Sequence, residues 1–326
     1  MAAITSAIGR SGRRYVVEKI LQESRGPYGP VYLASADNKR YVLKDVGSQA
    51  FKHLDHMYND FRASTYVRVA EDAIPDHTMF AFRYFKDHLL SFAGKAVPES
   101  QVKRILRDSL RGLAAMHEKR FVHGDVKPNN IVIDYDGEGG EGGKCTVTQV
   151  QLADIEDAAY VPEGKAIEGW TAGNWMWRSP EAHAARKLCE ESDMFSFGLV
   201  CIYAMTRRIL MAVDDKELFV THEGQKVEIE KLAVVIERQM SYFAPDLDSI
   251  EGFMAYLGGD HPWAPIFTVT VEGFGKDNPR KPLTLWTGIE EDFRDLLAKL
   301  TDLNPLNRIG SKEALEHPWW KDVPDD

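Results

Sequence analysis

The chain has few cysteines. Its three, Cys145, Cys189 and Cys201, show no Cys-x-x-Cys spacing. An odd, sparse set excludes a disulfide framework and a thiolate zinc module, and fits a reducing compartment, cytoplasm or nucleus. Long apolar runs are missing too: the longest, Phe195 to Met205, is interrupted by Ser196 and Gly198 and is too short to span a bilayer. There is no basic surplus, since 40 Lys and Arg against 50 Asp and Glu leave a net charge of -10. That balance speaks against a nucleic-acid partner and against an anionic membrane surface. Met1 to Ile8 shows no basic stretch followed by an apolar run, so no secretory signal is read. Residues 1–14 are read as a short solvated tail.

What is present is an ordinary globular composition, 44% hydrophobic and 28% charged, which excludes a disordered chain. A length of 326 residues suits two domain-sized units or one domain of two lobes. Tyr15-Val16-Val17, Val31-Tyr32-Leu33 and Tyr41-Val42-Leu43-Lys44 read as strands, the last two joined by a turn at Ala36 to Lys39. Residues 49–69 read as a helix carrying Phe51, Leu54, Tyr58 and Phe61. Met79 to Phe85 reads as a buried aromatic strand. Pro98 opens a helix whose apolar face holds Val102, Ile105, Leu106, Leu110, Leu113 and Met116. The glycine-rich, acidic stretch 136–143 reads as a surface turn between two β-branched runs. Beyond about residue 185 the chain reads as mostly helical, with residues 208–285 largely unassigned. His53, Asp55 and His56 read as a polar helix face rather than a metal site.

The chemistry concentrates in His123-Gly124-Asp125-Val126-Lys127-Pro128-Asn129-Asn130. Phosphoryl transfer from ATP needs a carboxylate that orients the attacking hydroxyl and accepts its proton. It also needs a cation near the γ-phosphate and ligands for Mg2+. Asp125, Lys127 and Asn130 supply these on one loop. Asp154, in Leu152-Ala153-Asp154, adds a second oxygen ligand after a strand.

On these residues the sequence resembles the eukaryotic protein kinase family over about residues 15–320, and the lysine two positions after Asp125 resembles its serine/threonine members. The resemblance implies an α+β, bilobal fold: a small lobe over residues 15–85, with a five-stranded antiparallel sheet and one helix, and a larger helical lobe over residues 86–326. It implies ATP and Mg2+ as cofactors, a protein substrate, and room for a regulatory protein. Ser24 to Val31 resembles the glycine-rich loop, with Gly26 and Gly29 approaching phosphates and Ser24 in place of the first glycine. Lys44 resembles the lysine that grips the α/β-phosphates. Val31 and Val42 are assigned to the nucleotide site, as are Phe82, Arg83, Tyr84 and Phe85, which resemble the hinge that reads the adenine edge. Glu181 in Ser179-Pro180-Glu181, Asp193 in the segment to Gly198, and Arg308 resemble structural positions of the large lobe, with Arg308 expected to pair with Glu181.

Three departures from the family pattern bear on activity. No glutamate lies between residues 45 and 70 to pair with Lys44, and Asp60 is the substitute expected. The family's Asp-Phe-Gly is Asp154-Ile155-Glu156, which loses glycine's backbone freedom and adds a charge beside the metal site. Gly124 stands where an arginine commonly holds a phosphorylated loop, so activation is expected without phosphorylation at Thr171. Ser24, Asp60 and Glu156 leave a second reading open, a pseudokinase that binds nucleotide or acts as a scaffold without phosphotransfer. A third, a small-molecule kinase of the antibiotic or choline type, fits His123-Gly124-Asp125 but not the downstream motifs.

Overall fold

The computed structural model describes residues 4–23, 27–95, 97–137, 145–222, 225–228 and 230–324. The first part is an antiparallel six-stranded sheet in the order β1-β2-β3-β4-β6-β5. Its strands are β1 (Ser6–Ile8), β2 (Arg14–Gln22), β3 (Val31–Ala36), β4 (Lys39–Asp45), β5 (Asp72–Ile74) and β6 (Met79–Arg83). The β3–β4 hairpin closes on Asp37 and Asn38, both at positive φ, residue types that tolerate the left-handed region of a two-residue turn. Strand alternation gives the sheet two apolar faces. Tyr41, Leu43, Met79 and Ala81 join Tyr15 and Tyr32 in an outer cluster. Phe80 and Phe82 point the other way, into the main core with Leu54, Met57, Tyr58 and Phe61 of α1 (Gly47–Phe61).

Two expectations are corrected here. The sheet has six strands rather than five, because the segment read as a tail pairs with β2 in the register Ser6↔Val16 to Ile8↔Arg14. Asp72, only 7% exposed, explains the pairing: its carboxylate accepts hydrogen bonds from Ser11 N at 3.1 Å and Tyr15 Oη at 3.1 Å, so the turn before β2 satisfies a buried charge. The helix expected to reach residue 69 ends at Phe61, since Thr65, Val67 and Val69 are β-branched and Val67 bridges to Leu152 instead.

The second part is mostly helical. It runs through β7 (Asp87–His88), α2 (Leu89–Phe92), α3 (Glu99–Glu118), β8 (Phe121–Val122), β9 (Ile131–Asp136), β10 (Thr146–Leu152), β11 (Ala159–Tyr160), α4 (Pro180–His183) and α5 (Glu190–Thr206). There follow the hairpin β12 (Phe219–His222) and β13 (Gln225–Glu228), then α6 (Lys231–Phe243), α7 (Leu247–Leu257), α8 (Ala264–Glu272), α9 (Glu291–Leu300) and α10 (Ser311–Leu315). Among its described residues, region 208–285 holds three α-helices, a hairpin and two short 3-10 turns. Buried Ile105, Leu106, Leu110, Leu113 and Met116 give α3 its apolar face. Helix α5 is buried all round from Ser192 to Ala204 and forms the centre of this part. The glycine-rich turn falls largely outside the described residues, although β9 and β10 pair up to Asp136↔Thr146. No described helix is long and apolar enough to cross a membrane.

Candidate active site

The loop between β8 and β9 is suspended from α5. The Asp193 carboxylate, 1% exposed, accepts from His123 N at 2.7 Å and from Gly124 N at 2.8 Å, and it bonds His117 Nε2 at 3.0 Å. His123 is fully buried. Its Nδ1 accepts from Asp125 N at 3.2 Å, which leaves Nε2 to donate to Ala153 O at 3.0 Å. The ring is thereby committed to orienting the loop. Gly124 has φ +76°, a left-handed conformation that would strain the arginine common at this position.

Three donors converge on Asp125. Oδ1 accepts from Asn174 N at 2.9 Å, and Oδ2 accepts from Lys127 Nζ and, at 3.3 Å, from Asn130 Nδ2. Asn130 Nδ2 also donates to Asp125 O at 2.9 Å, and Asn130 O accepts from Ala153 N at 2.7 Å. That last bond joins the loop to the end of β10, so Asn130 and Asp154 come together.

The ammonium of Lys44 lies 2.7 Å from Asp154 Oδ1 and 2.7 Å from Glu156 Oε1. Lys44 and Glu156 are both buried. The expectation for Asp60 is corrected: it is exposed on α1, and the second carboxylate at Lys44 comes from Glu156. The reason lies in the turn. Asp154 has φ +66°, one of the few left-handed non-glycine residues here, and it starts a short 3-10 turn, Ile155–Asp157. Within that turn Ile155 packs in the main core, while Glu156 meets Lys44. Tyr28 Oη, in the loop after β2, donates to Asp157 Oδ1 at 2.9 Å and Glu156 O at 3.3 Å. Gly26 lies outside the described residues. Gly29 N donates to Asp45 O at 3.0 Å, tying the end of that loop to β4.

Val42 and Lys44 share the inner face of β4 with Phe82 of β6, and the Lys44 ammonium lies 5.1 Å from the Phe82 ring centre. Val31 and Phe85 are buried, and Tyr84 N bonds Arg40 O at 3.3 Å. The Arg83 side chain turns outward, to Asp134 at 2.5 Å and to Gln149.

The segment before α4 closes over Asp125. A Cβ on Gly173, φ +74°, would sit 2.5 Å from Gly124 O, so only glycine allows this approach. Arg178 donates to three successive carbonyls, to Thr171 O at 3.1 Å, to Ala172 O at 2.7 Å and to Gly173 O at 2.6 Å. Burial lowers its pKa, against the opposing charge of Asp125. Behind it Glu181 and Arg308 form a fully buried two-point pair at 2.7 and 3.1 Å. Burial alone would raise the Glu181 carboxyl, but the charge and hydrogen bonds of Arg308 outweigh it and hold the pKa below its usual value.

Comparison with known proteins places this geometry. The model of the protein kinase domain matches residues 24–320. The chain belongs to the protein kinase family. A probable cyclin-dependent kinase 8 of Dictyostelium discoideum is 25% identical over 71% of this chain and 56% of its own length. The serine/threonine-protein kinase ppk23 of Schizosaccharomyces pombe is 27% identical over 74% of this chain and 53% of its own, and cyclin-dependent kinase B2-2 of Arabidopsis thaliana 26% over 72% and 62%. The chain spans a little over half the length of these relatives. Within this kinase fold, sequence reasoning missed Asn174 and Arg178, which hold the segment over Asp125, and misjudged Glu156. The arginine before Ser179-Pro180-Glu181 was visible in the sequence. The direction of Glu156 depends on a turn that periodicity does not report.

Proposed function

We propose that the chain is an intracellular serine/threonine protein kinase, transferring the γ-phosphoryl group of ATP to a hydroxyl of a protein substrate with Mg2+ as cofactor. The observation that supports this best is Asp125: a partly exposed carboxylate held by Lys127, Asn130 and the Asn174 backbone, open to a substrate hydroxyl. In this reading Asp125 orients the hydroxyl and accepts its proton, Lys127 offsets charge on the moving phosphoryl group, and Lys44 holds the α/β-phosphates. Asn130 and Asp154 fit a magnesium ion, since they offer hard oxygen ligands and are drawn together by the Ala153–Asn130 bond. Held by these two residues, the ion would offset charge on the phosphates.

A macromolecular acceptor is supported by the cleft of 810 Å³ beside the same segment, lined by Trp175, Arg178, His183 and Leu232 among others. The names of the relatives support a serine/threonine acceptor and a regulatory protein of the cyclin kind. The test is phosphate incorporation from labelled Mg-ATP into the chain itself and into basic and acidic protein acceptors. Asp125→Asn is expected to lower it by about a hundredfold or more without loss of thermal stability. Incorporation unchanged in Asp125→Asn would overturn the proposal. Nucleotide binding without incorporation in either protein would favour the pseudokinase reading.

A further inference from the structure

A second cleft lies in the helical part, between the end of α5, the last turn of α6 and the loop before α9. It holds 580 Å³, and none of its lining residues belongs to the site around Asp125. Its walls are apolar, built from Ile202, Leu210, Tyr242, Trp286 and Ile289. Tyr242 and Trp286 meet edge to face, with ring centres 5.6 Å apart and planes at 79°. The loop is fixed around that contact. Trp286 Nε1 donates to Lys281 O at 3.0 Å, Arg294 donates to Trp286 O at 3.3 Å, and Lys281 N donates to Ser241 Oγ at 2.9 Å. With its N–H satisfied, the indole offers the cleft an apolar surface only. Leu285, 69% exposed, stands at the rim.

Two exposed cations, Arg208 and Lys281, also line the cleft. Among the described residues no carboxylate lines it, and none pairs with either cation. The adjoining acid, Glu290, is turned away, to Lys103 Nζ at 3.3 Å and Trp319 Nε1 at 3.2 Å. On a chain of net charge -10, an apolar groove bordered by two unpaired cations is complementary to an apolar anchor with acidic flanks. Small-molecule pockets bury most of their ligand. Here Arg208, Lys281 and Leu285 are all exposed, an open rim that suits a peptide lying across it. We infer that this cleft docks an acidic segment of a partner protein. A leucine or phenylalanine of that segment seats against Tyr242 and Trp286, while its Asp or Glu side chains meet Arg208 and Lys281. The groove is preformed, so little ordering is lost on docking. The role requires neither nucleotide nor phosphotransfer and stands independently of the proposed function.

The test is fluorescence polarisation of fluorescein-labelled peptide pools mixed with the full chain. One pool carries Leu or Phe at two central positions and Asp or Glu at the rest; the matched pool has Lys in place of the acids. The acidic pool is expected to bind at least about tenfold more tightly, and to weaken as salt is raised. Arg208→Glu combined with Lys281→Glu should reverse the preference, and Leu285→Ser should weaken the acidic pool about fivefold. All three side chains are exposed, so the variants should melt with the unaltered protein. No binding of the acidic pool at about 1 mM chain would overturn the inference. So would equal binding of the two pools, which needs no variant, or acidic binding unmoved in the double variant. Dodecanoate bound in the cleft with neither pool bound would assign it to a small amphiphile and overturn the peptide reading.

Discussion

The two halves of the site are held in different ways. On the large-lobe side, the loop bearing Asp125 hangs from Asp193, and the segment over it is pinned by the Glu181–Arg308 pair, with every anchor buried. These residues follow the family pattern. On the small-lobe side Lys44 also sits in a buried ion cluster, but its second carboxylate belongs to the segment after β10 and not to α1. A buried ammonium needs compensating charge, and the position of that charge in the chain is secondary to its position in space. The consequence concerns movement. Swinging α1 does not break the Lys44–Glu156 pair, whereas moving the segment after β10 does.

The contrast can be sharpened or broken by substitution. The largest effect is expected in the frame. Glu181→Gln leaves Arg308 buried without its charge partner, and should cost about 3–5 kcal/mol in urea unfolding; a loss comparable to that of an exposed pair would mean the frame is not the rigid half. Next is the neighbouring His183, whose pKa burial and then the charge of Arg178 push down from 6.5 to about 3. The folded value lies below the unfolded one, so this stabilisation is complete above pH 6.5 and is lost as pH falls toward 3. Between pH 7 and 5 the protein should lose about 2 kcal/mol that His183→Leu does not lose. In the small lobe, Glu156→Gln should lower kcat/KM for ATP about tenfold, because Lys44 keeps Asp154, while Asp60→Asn stays within about twofold. The reverse ranking would restore α1 as the source of the partner. The smallest effect is expected at exposed Thr171: with Gly124 offering no guanidinium, Thr171→Ala should alter phosphotransfer by less than about twofold. A large loss in that assay would show that the segment needs a phosphate.

What was readable in advance follows from chain locality. Asp125, Lys127 and Asn130 lie on one loop, and the strand-then-helix order needs only hydrophobic periodicity, so both could be seen in the sequence. Glu181 and Arg308 are 127 positions apart, and their meeting at 2.7 Å was accessible only by resemblance to the family. Glu156 was read as a stray charge beside the metal site, because no local rule tells which way a side chain leaves a turn that starts at φ +66°. Strand β1 was missed for a plainer reason. Three residues of pairing fall below what alternation can register, and the buried carboxylate that organises the turn lies 61 positions from Ser11.

That short strand bears on how the molecule can be handled. The family match begins at residue 24, after both β1 and β2. An expression boundary drawn there would strip two of six strands from the sheet, expose the outer cluster of Tyr32, Tyr41 and Leu43, and leave the carboxylate of Asp72 without Ser11 and Tyr15. Such a fragment would present a raw, sticky strand edge at β3. Its insolubility would then be mistaken for a property of the catalytic unit, when it reports only the missing hem of the sheet.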